Sequence, residues 1–210
     1  LDIAADKYFR KAGVPGLGHE HSVRQLVARV ARAIRLSGES QGGYFATSED
    51  ADAFEAELAY MLVHQHGAFN SPVWFNVGLA EAYGIAGKPS GNFVWENGRV
   101  TDAKDSYSRP AASACFIVSP SDDLIDIAKH VEREMRIFRF GGGAGMNASD
   151  LRGAGEPLSN GGTSSGVMSF LKVYDAAAGA IKSGGTTRRA AKLVCLDIDH
   201  PDIVPFIEWK

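Results

Sequence analysis

Apolar residues recur at helical spacing along the first third of the chain. Ser22 is a candidate N-cap for a first helix, which Gly38 would end. The apolar positions of this helix are Val23, Leu26, Val27, Val30, Ala31 and Ile34. A second helix is predicted to start near Ser48 and to end before Gly67. Its apolar positions are Phe54, Leu58, Met61 and Leu62. We therefore expect residues 1–68 to form a helical N-terminal region.

The pattern changes after residue 68 and alternates from residue 113 onward. The segment from Ile85 to Lys104 mixes Gly, Pro, Asn and charge, which predicts an exposed loop or hairpin. The later elements alternate strand, helix, strand, helix, which favours parallel strands in an α/β fold. They are a buried strand from Cys115, a helix opened by Pro120, glycine turns at 141–145 and 161–166, a helix from Ser165 to Lys182, a strand from Lys192 and a short helix from Pro201.

Two of these helices have a predicted inner face at helical spacing. In the helix after Pro120, this face holds Leu124, Ile127, Ala128, Val131, Met135 and Phe138. In the helix from Ser165, it holds Val167, Phe170, Leu171, Tyr174, Ala178 and Ile181.

The composition is that of a soluble globular protein, with 45% hydrophobic and 22% charged residues. A net charge of −3 gives no indication of a nucleic acid or an anionic membrane as a partner. No apolar run approaches the roughly 20 residues of a membrane helix, and Leu1 opens no signal peptide. Two cysteines form no disulfide framework, so we expect a cytoplasmic protein. The absence of an initiating Met, and an ending at Glu208-Trp209-Lys210 without a terminal signal, suggest further sequence at both ends.

Two glycine-rich segments are candidates for ligand contact. Residues 140–147 hold four glycines but match neither a dinucleotide-binding nor a Walker motif, so a structural turn and a ligand contact both remain open. Residues 182–192 combine four basic residues with Gly-Gly-Thr-Thr and no acidic residue. This composition suits either a phosphate-bearing ligand or a solvated basic loop.

The cysteines and histidines give weaker indications of a functional site. Cys115 starts a predicted strand, where a thiol is either inert core or, at the strand's mouth, redox-active. Cys195 is predicted to be core. His64 and His66 are two apart on a predicted helix, so they should point to different faces and not share a metal. His200 is a candidate cap for the last helix, and no metal site is predicted.

Several motifs in order resemble those of adenosylcobalamin-dependent ribonucleotide reductases. They are Phe69-Asn-Ser-Pro-Val-Trp-Phe-Asn-Val-Gly, Ser113-Ala-Cys-Phe-Ile, Phe140-Gly-Gly-Gly-Ala-Gly-Met-Asn, Gly161-Gly-Thr-Ser-Ser-Gly, Lys182-Ser-Gly-Gly-Thr-Thr-Arg-Arg-Ala-Ala-Lys, Leu196-Asp-Ile-Asp-His-Pro-Asp-Ile and Phe206-Ile-Glu-Trp-Lys. Each motif alone is weak, but the ordered set is specific. The resemblance covers nearly the whole chain and is weakest at residues 1–20 and 83–105.

The resemblance implies an α/β protein: a helical N-terminal region (1–68) followed by the first part of a ten-stranded α/β barrel (69–210). It implies reduction of ribonucleotides to deoxyribonucleotides for DNA synthesis, by a thiyl radical that adenosylcobalamin initiates. We expect a vitamin B12-dependent ribonucleoside-diphosphate reductase, although no residue distinguishes a diphosphate from a triphosphate substrate. Implied partners are a deoxynucleoside triphosphate effector, a thioredoxin-type reductant and a second copy of the chain, which would pair through helices near 122–139 and 165–182.

The resemblance also implies roles for individual residues. Cys115 resembles the first member of the reducing cysteine pair, with a partner later in the full protein and no bond to Cys195. The implied substrate contacts are Ser71, Ala114, Cys115 and Gly143; the family often has Ser at position 114, so a backbone contact is expected there. The implied effector contacts are Asp122, Arg152, Lys182, Arg188 and Arg189.

Three alternatives remain open from the sequence. One is a relative that uses another radical source, either a metal-and-tyrosyl partner subunit or a glycyl radical. Another is a non-catalytic regulatory module that binds deoxynucleotides. The third is a glycine-rich α/β domain with no ligand. Because the family's radical cysteine lies on later strands, the isolated chain is expected to be inactive and prone to aggregate.

Overall fold

The computed structural model describes residues 2–89, 91–181 and 190–209. The chain divides into two units, Leu1–Ser113 and Ala114–Lys210. The helices of the first unit are α1 (Asp2–Tyr8), α2 (Val23–Gln41), α3 (Ser48–Val63), α4 (Ser71–Asn76) and α5 (Leu79–Tyr83). The same unit contains a hairpin of β1 (Phe93–Glu96) and β2 (Arg99–Asp102).

Helix α2 starts as predicted but ends later. Ser22 and Gln25 form a reciprocal capping box at its start. The prediction that Gly38 ends the helix is wrong, because α2 continues to Gln41 and ends before Gly42, which has φ 70°. A Cβ at position 38 would lie 2.8 Å from the ring of Phe45. Gly38 is therefore inside the helix because an aromatic ring packs against its backbone.

Helix α3 packs against α2, as its pattern predicts. Thr47 caps its first turn, and Arg35 of α2 forms ion pairs with Asp52 and Glu55 of α3. The predicted apolar face is only partly covered. Phe54, Leu58 and Leu62 are half-buried, whereas Met61 is exposed.

The segment predicted as an exposed loop or hairpin is a hairpin. Strands β1 and β2 pair antiparallel, with Phe93 opposite Asp102. The turn between them has Asn97 at φ 52° and Gly98 at φ 77°. Two consecutive residues at positive φ give the turn a twist that matches paired strands, and Asn-Gly is the sequence that favours it.

The second unit has three parallel strands among its described residues, in the order β3-β4-β5. They are β3 (Cys115–Ile117), β4 (Gly143–Asn147) and β5 (Ala191–Cys195), and the helices are α6 (Leu124–Arg139), α7 (Val167–Ala180) and α8 (Ile203–Ile207). This confirms the predicted α/β layout with parallel strands.

The core of this unit lies between the helices and one face of the sheet. Its buried members are Ile127, Met146, Ala148, Leu151, Val167, Leu171 and Tyr174. The predicted inner face of α7 is confirmed at its three buried positions. That of α6 is partly wrong: Leu124, Ala128 and Met135 are exposed, whereas His130 and Glu134 are buried. The buried stripe of α6 therefore includes two polar side chains.

The glycine turn predicted at 141–145 is mostly a strand. Gly141 has φ 84° and makes the turn, but β4 already begins at Gly143. A Cβ on Gly142 would lie 2.9 Å from Ile137 Cγ2, so the chain passes too close to α6 for a side chain there. The second predicted turn is confirmed, with Gly161 and Gly162 both at positive φ.

Candidate functional site

Three of the predicted substrate-site residues lie together at the start of the sheet. Cys115 on β3 is in register with Gly143 on β4, which is in turn in register with Ala191 on β5. The N–H of Gly143 donates to the carbonyl oxygen of Ala114 at 2.6 Å. Cys115 is exposed, so the prediction of a buried strand is wrong. Its thiol lies on an accessible face beside two positions with small or no side chains.

Cys195 is also exposed, so its prediction as a core residue is wrong. The cause is the period of two along a strand. Helices pack on the face that carries Lys192 and Val194, whereas Cys195 lies on the opposite face, in register with Asn147. Ile117 and Leu193 share that open face and are 88% and 65% exposed. Neither cysteine forms a disulfide within the part of the chain that the structure describes.

Two of the predicted effector contacts are joined directly. Arg152 Nε donates to Asp122 Oδ2 at 2.6 Å, and the Arg152 main-chain N–H donates to Asp122 Oδ1 at 3.3 Å. The two side chains remain 35% and 29% exposed, respectively. The arrangement presents a guanidinium and a carboxylate to solvent at one place. Three further predicted contacts, Lys182, Arg188 and Arg189, lie outside the described residues.

The loop that follows Arg152 is held by residues that sequence analysis did not identify. Asp202 is buried and accepts hydrogen bonds from the main-chain N–H groups of Ala154 and Val167. His200 Nδ1 accepts from the N–H of Asp202, and its Nε2 is 2.7 Å from the carbonyl oxygen of Leu151. His200 therefore does not cap α8, contrary to the prediction. The sequence Asp-His-Pro-Asp at 199–202 is the feature that could have indicated that His200 and Asp202 hold this loop.

Ser71 belongs to the first unit, whereas the other predicted substrate contacts belong to the second. It starts α4, and Pro72 occupies the first turn, where a missing N–H costs nothing. The Ser71 Oγ lies 3.5 Å from the hydroxyl of Tyr8. A buried ion pair supports this segment, because Arg29 binds Glu20 at 2.7 Å and also donates to the carbonyl of Trp74.

A buried cluster under the sheet was also missed. Glu134 accepts hydrogen bonds from His130 at 3.1 Å and from Lys192. The Lys192 ammonium lies 4.3 Å from the ring centroid of Tyr174. Burial opposes the charge on Glu134, but the two hydrogen bonds outweigh it and hold the pKa of this carboxyl below its ordinary value of 4.5. Burial also lowers the pKa of Lys192, although Glu134 favours its charge.

The histidine pair at the end of α3 differs from the prediction. Because the helix ends at Val63, His64 and His66 do not follow helical geometry, and their rings stack with centroids 6.0 Å apart. They therefore do not point to different faces. Over the described ranges, no group of three or more His, Cys, Asp or Glu residues could hold a metal ion. Among the described residues, no helix is both long and apolar enough to cross a membrane.

Two pockets among the described residues are too small for a corrin cofactor. One pocket in the second unit, lined by Leu171, Lys192 and Trp209, measures about 230 Å³. Another in the first unit, lined by Ile34, Phe69 and others, measures about 520 Å³. Drug-sized ligands occupy roughly 300–1,000 Å³, and cobalamin is larger than these.

Comparison with known proteins identifies the family. A family model described as "Ribonucleotide reductase, barrel domain" matches residues 113–210. A second, described as "Class II vitamin B12-dependent ribonucleotide reductase", matches residues 1–65. Together, the two models cover most of both units.

Curated relatives agree with these models. The vitamin B12-dependent ribonucleotide reductase of Agrobacterium fabrum is 48% identical over 246 residues, covering 100% of this chain and 19% of the relative. That of Rhodopirellula baltica is 46% identical over 211 residues, covering 100% of this chain and 20% of the relative. The vitamin B12-dependent ribonucleoside-diphosphate reductase of Mycobacterium tuberculosis is 42% identical over 99 residues, covering 47% and 14%. This chain thus spans about a fifth of the length of the first two relatives, and it belongs to the class II, vitamin B12-dependent ribonucleotide reductase family.

Proposed function

We propose that a full-length protein containing this chain reduces ribonucleotides to deoxyribonucleotides, with Cys115 as one of its two reducing thiols. The observation that carries the proposal is the exposed thiol of Cys115 in register with Gly143 at the start of the sheet. The family assignment supports the reaction. Adenosylcobalamin would supply the initiating radical when bound to the full-length protein, and the proposed part of this chain is the Cys115 thiol.

The chemistry of Cys115 is a two-thiol reduction. Two thiols give up two electrons and two protons and become a disulfide. The ribonucleotide takes up these electrons and protons, loses its 2′-hydroxyl as water and becomes the deoxyribonucleotide. The second thiol belongs to a cysteine outside this chain, and a thioredoxin-type reductant then restores both thiols by disulfide exchange.

The substrate site would use groups with little bulk. Gly143 leaves room beside Cys115, and the main chain at Ala114 is already fixed by its hydrogen bond to Gly143. Ser71, the first residue of α4, is a proposed substrate contact on the resemblance alone. The proposed substrate is a ribonucleoside diphosphate, and the cytoplasm is the proposed compartment, because a reducing cytosol favours free thiols.

The Asp122–Arg152 pair is the proposed site for a deoxynucleoside triphosphate effector. A guanidinium binds phosphate through paired hydrogen bonds, and a carboxylate accepts from a sugar hydroxyl. Lys182, Arg188 and Arg189 would add positive charge toward the phosphates. A second copy of the chain is the proposed partner across α6 and α7.

The isolated chain is proposed to be inactive. The two-thiol reduction and the thiyl radical together need three cysteines, whereas the chain has two. The open face of the sheet also leaves Ile117 and Leu193 exposed, which favours association between isolated chains.

The test is turnover of the full-length protein with each cysteine replaced. Cys115→Ser should abolish multiple turnovers with a thioredoxin-type reductant, because the disulfide cannot form. Cys195→Ser is the matched control. Cys195 is also exposed on the same face of the sheet, and its substitution should keep turnover within about twofold, as expected of a surface substitution. Full turnover by Cys115→Ser would remove the proposed role.

A further inference from the structure

One buried side chain closes the base of the loop that follows Arg152. Asp202 is 4% exposed. Its Oδ1 accepts from the N–H of Ala154 at 2.9 Å, and its Oδ2 accepts from the N–H of Val167 at 2.7 Å. Ala154 lies at the start of the loop, and Val167 is the first residue of α7. A single carboxylate therefore ties both ends of the loop together.

Glycines lie next to this segment at two positions where a side chain would not fit. A Cβ on Gly166 would lie 2.5 Å from Asp202 Oδ2, and Gly166 has φ 78°. A Cβ on Gly153 would lie 2.7 Å from Pro201 Cβ. The loop base thus packs directly on the segment 200–202, without intervening side chains, which makes the position of the carboxylate well defined.

The residue on the other side of Arg152 is held by the same segment. His200 Nε2 lies 2.7 Å from the carbonyl oxygen of Leu151, and its Nδ1 accepts from the N–H of Asp202. Leu151 and Ala154 flank Arg152 in the chain, so residues 200–202 fix the main chain before and after it. The guanidinium can then reach Asp122 or a ligand from a main chain whose position is fixed.

We propose that Asp202 is a positioning residue for the effector site, and that it sets the affinity for a deoxynucleoside triphosphate through Arg152. The proposal rests on the proposed function of the Asp122–Arg152 pair. Asp202 itself touches no ligand, because its two oxygens bind the main chain at the loop base. If the loop base is loosened, Arg152 must become ordered when the ligand binds. The entropy lost in that ordering weakens binding.

The positioning role of Asp202 is tested by substituting Asp202 and Arg152 singly and together in the full-length protein and measuring the binding of deoxythymidine triphosphate. Asp202→Asn keeps the size of the side chain but replaces one acceptor oxygen with a donor that faces an N–H group. We expect Asp202→Asn to weaken binding about tenfold and Arg152→Ala about tenfold or more, in line with lost charge-assisted hydrogen bonds. The effect of Asp202→Asn should nearly vanish in the Arg152→Ala background, because coupled residues are not additive.

A second measurement separates positioning from a general loss of structure. The deoxythymidine triphosphate concentration for half-maximal activation should rise about tenfold in Asp202→Asn, matching the expected loss of affinity, while the rate at saturating effector remains. Tyr174→Phe is the matched control. It removes a buried hydrogen bond to the Ile127 carbonyl in the same unit but leaves the loop base intact, so it should not change the activation concentration.

The outcomes distinguish this inference from the proposed function. If Arg152→Ala binds the nucleotide as well as the wild type, the effector site itself is wrong. If Arg152→Ala weakens binding and Asp202→Asn does not, or if their effects simply add, the site stands and the role of Asp202 is wrong. If Asp202→Asn does not fold, Gly166→Ala takes its place in the cycle, because its Cβ displaces the same oxygen.

Discussion

The carboxylate of Glu134 stays charged although it is buried beneath the sheet. It is 2% exposed, and its neighbours His130 and Lys192 both donate to it. These hydrogen bonds keep its pKa below 4.5 despite burial. A carboxyl with a depressed pKa in the folded state stabilises the protein above its unfolded pKa, and this contribution is lost as the pH falls through the folded value.

Glu134→Gln removes the negative charge from this buried cluster. Near neutral pH, it should lower local stability by roughly 3–5 kcal/mol, because Lys192 is left buried without a counter-charge. The difference from the wild type should shrink as the pH falls below about 4.5, where Glu134 becomes protonated in the unfolded state, and should disappear as the pH passes through the lower folded-state pKa. Amide hydrogen exchange along α6 in the full-length protein measures this.

Glu132→Gln is the control for this prediction. Glu132 lies on the same helix and pairs with Arg136, but its side chain is 62% exposed. An exposed pair contributes little, so exchange along α6 should hardly change. Equal effects of the two substitutions at neutral pH would contradict the account of the buried cluster.

Sequence patterns identified some of these residues and missed others for a physical reason. Cys115 and Arg152 were found because their motifs resemble a family. Glu134 and His130 were missed because a helical pattern of apolar residues assumes that only apolar side chains are buried. On α6 the stripe that faces the core contains both of them, and only Lys192, which lies 58 positions further along the chain, explains why.

At the scale of elements, the predicted strands and long helices are present, but their faces were harder to predict. The period of two in β5 separates Lys192 and Val194 from Leu193 and Cys195. Sequence alone does not say which of these sets a helix covers. Here the helices cover the set that includes Lys192, so both cysteines lie on the open face.

The ends of helices depend on packing as much as on residue type. Glycine is a residue type that commonly ends helices, yet Gly38 lies inside α2 because Phe45 packs on it. Gly78 and Gly84 bound α5, both with positive φ. They differ in their surroundings: a Cβ on Gly78 would overlap the carbonyl oxygen of Arg29, whereas a Cβ on Gly84 would meet nothing within 4 Å.

This contrast predicts unequal costs for the same substitution. Gly84→Ala should cost about 1–2 kcal/mol of local stability, from the left-handed backbone alone. Gly78→Ala should cost clearly more, because the main chain of α2 must also move. Hydrogen exchange of the α2 amides should rise in Gly78→Ala and not in Gly84→Ala; similar exchange in both variants would contradict the close approach.

At the scale of the whole molecule, the chain consists of a helical unit with a hairpin and an α/β unit with three described parallel strands. The order of the motifs predicted the family, and the family models match both units. What sequence could not give is the accessibility of the Cys115 thiol, because accessibility depends on which face of the sheet the helices cover. That accessibility is the physical basis of the proposed reduction.

The most direct test of this claim follows the oxidation state of Cys115 during turnover. Pre-reduced full-length protein is given ribonucleotide, effector and adenosylcobalamin without an external reductant; the remaining thiols are then alkylated and the peptides identified. We predict that the Cys115 peptide is recovered in a disulfide, in step with the deoxynucleotide formed, while Cys195 is alkylated throughout. Complete alkylation of Cys115 after product has formed would contradict the account.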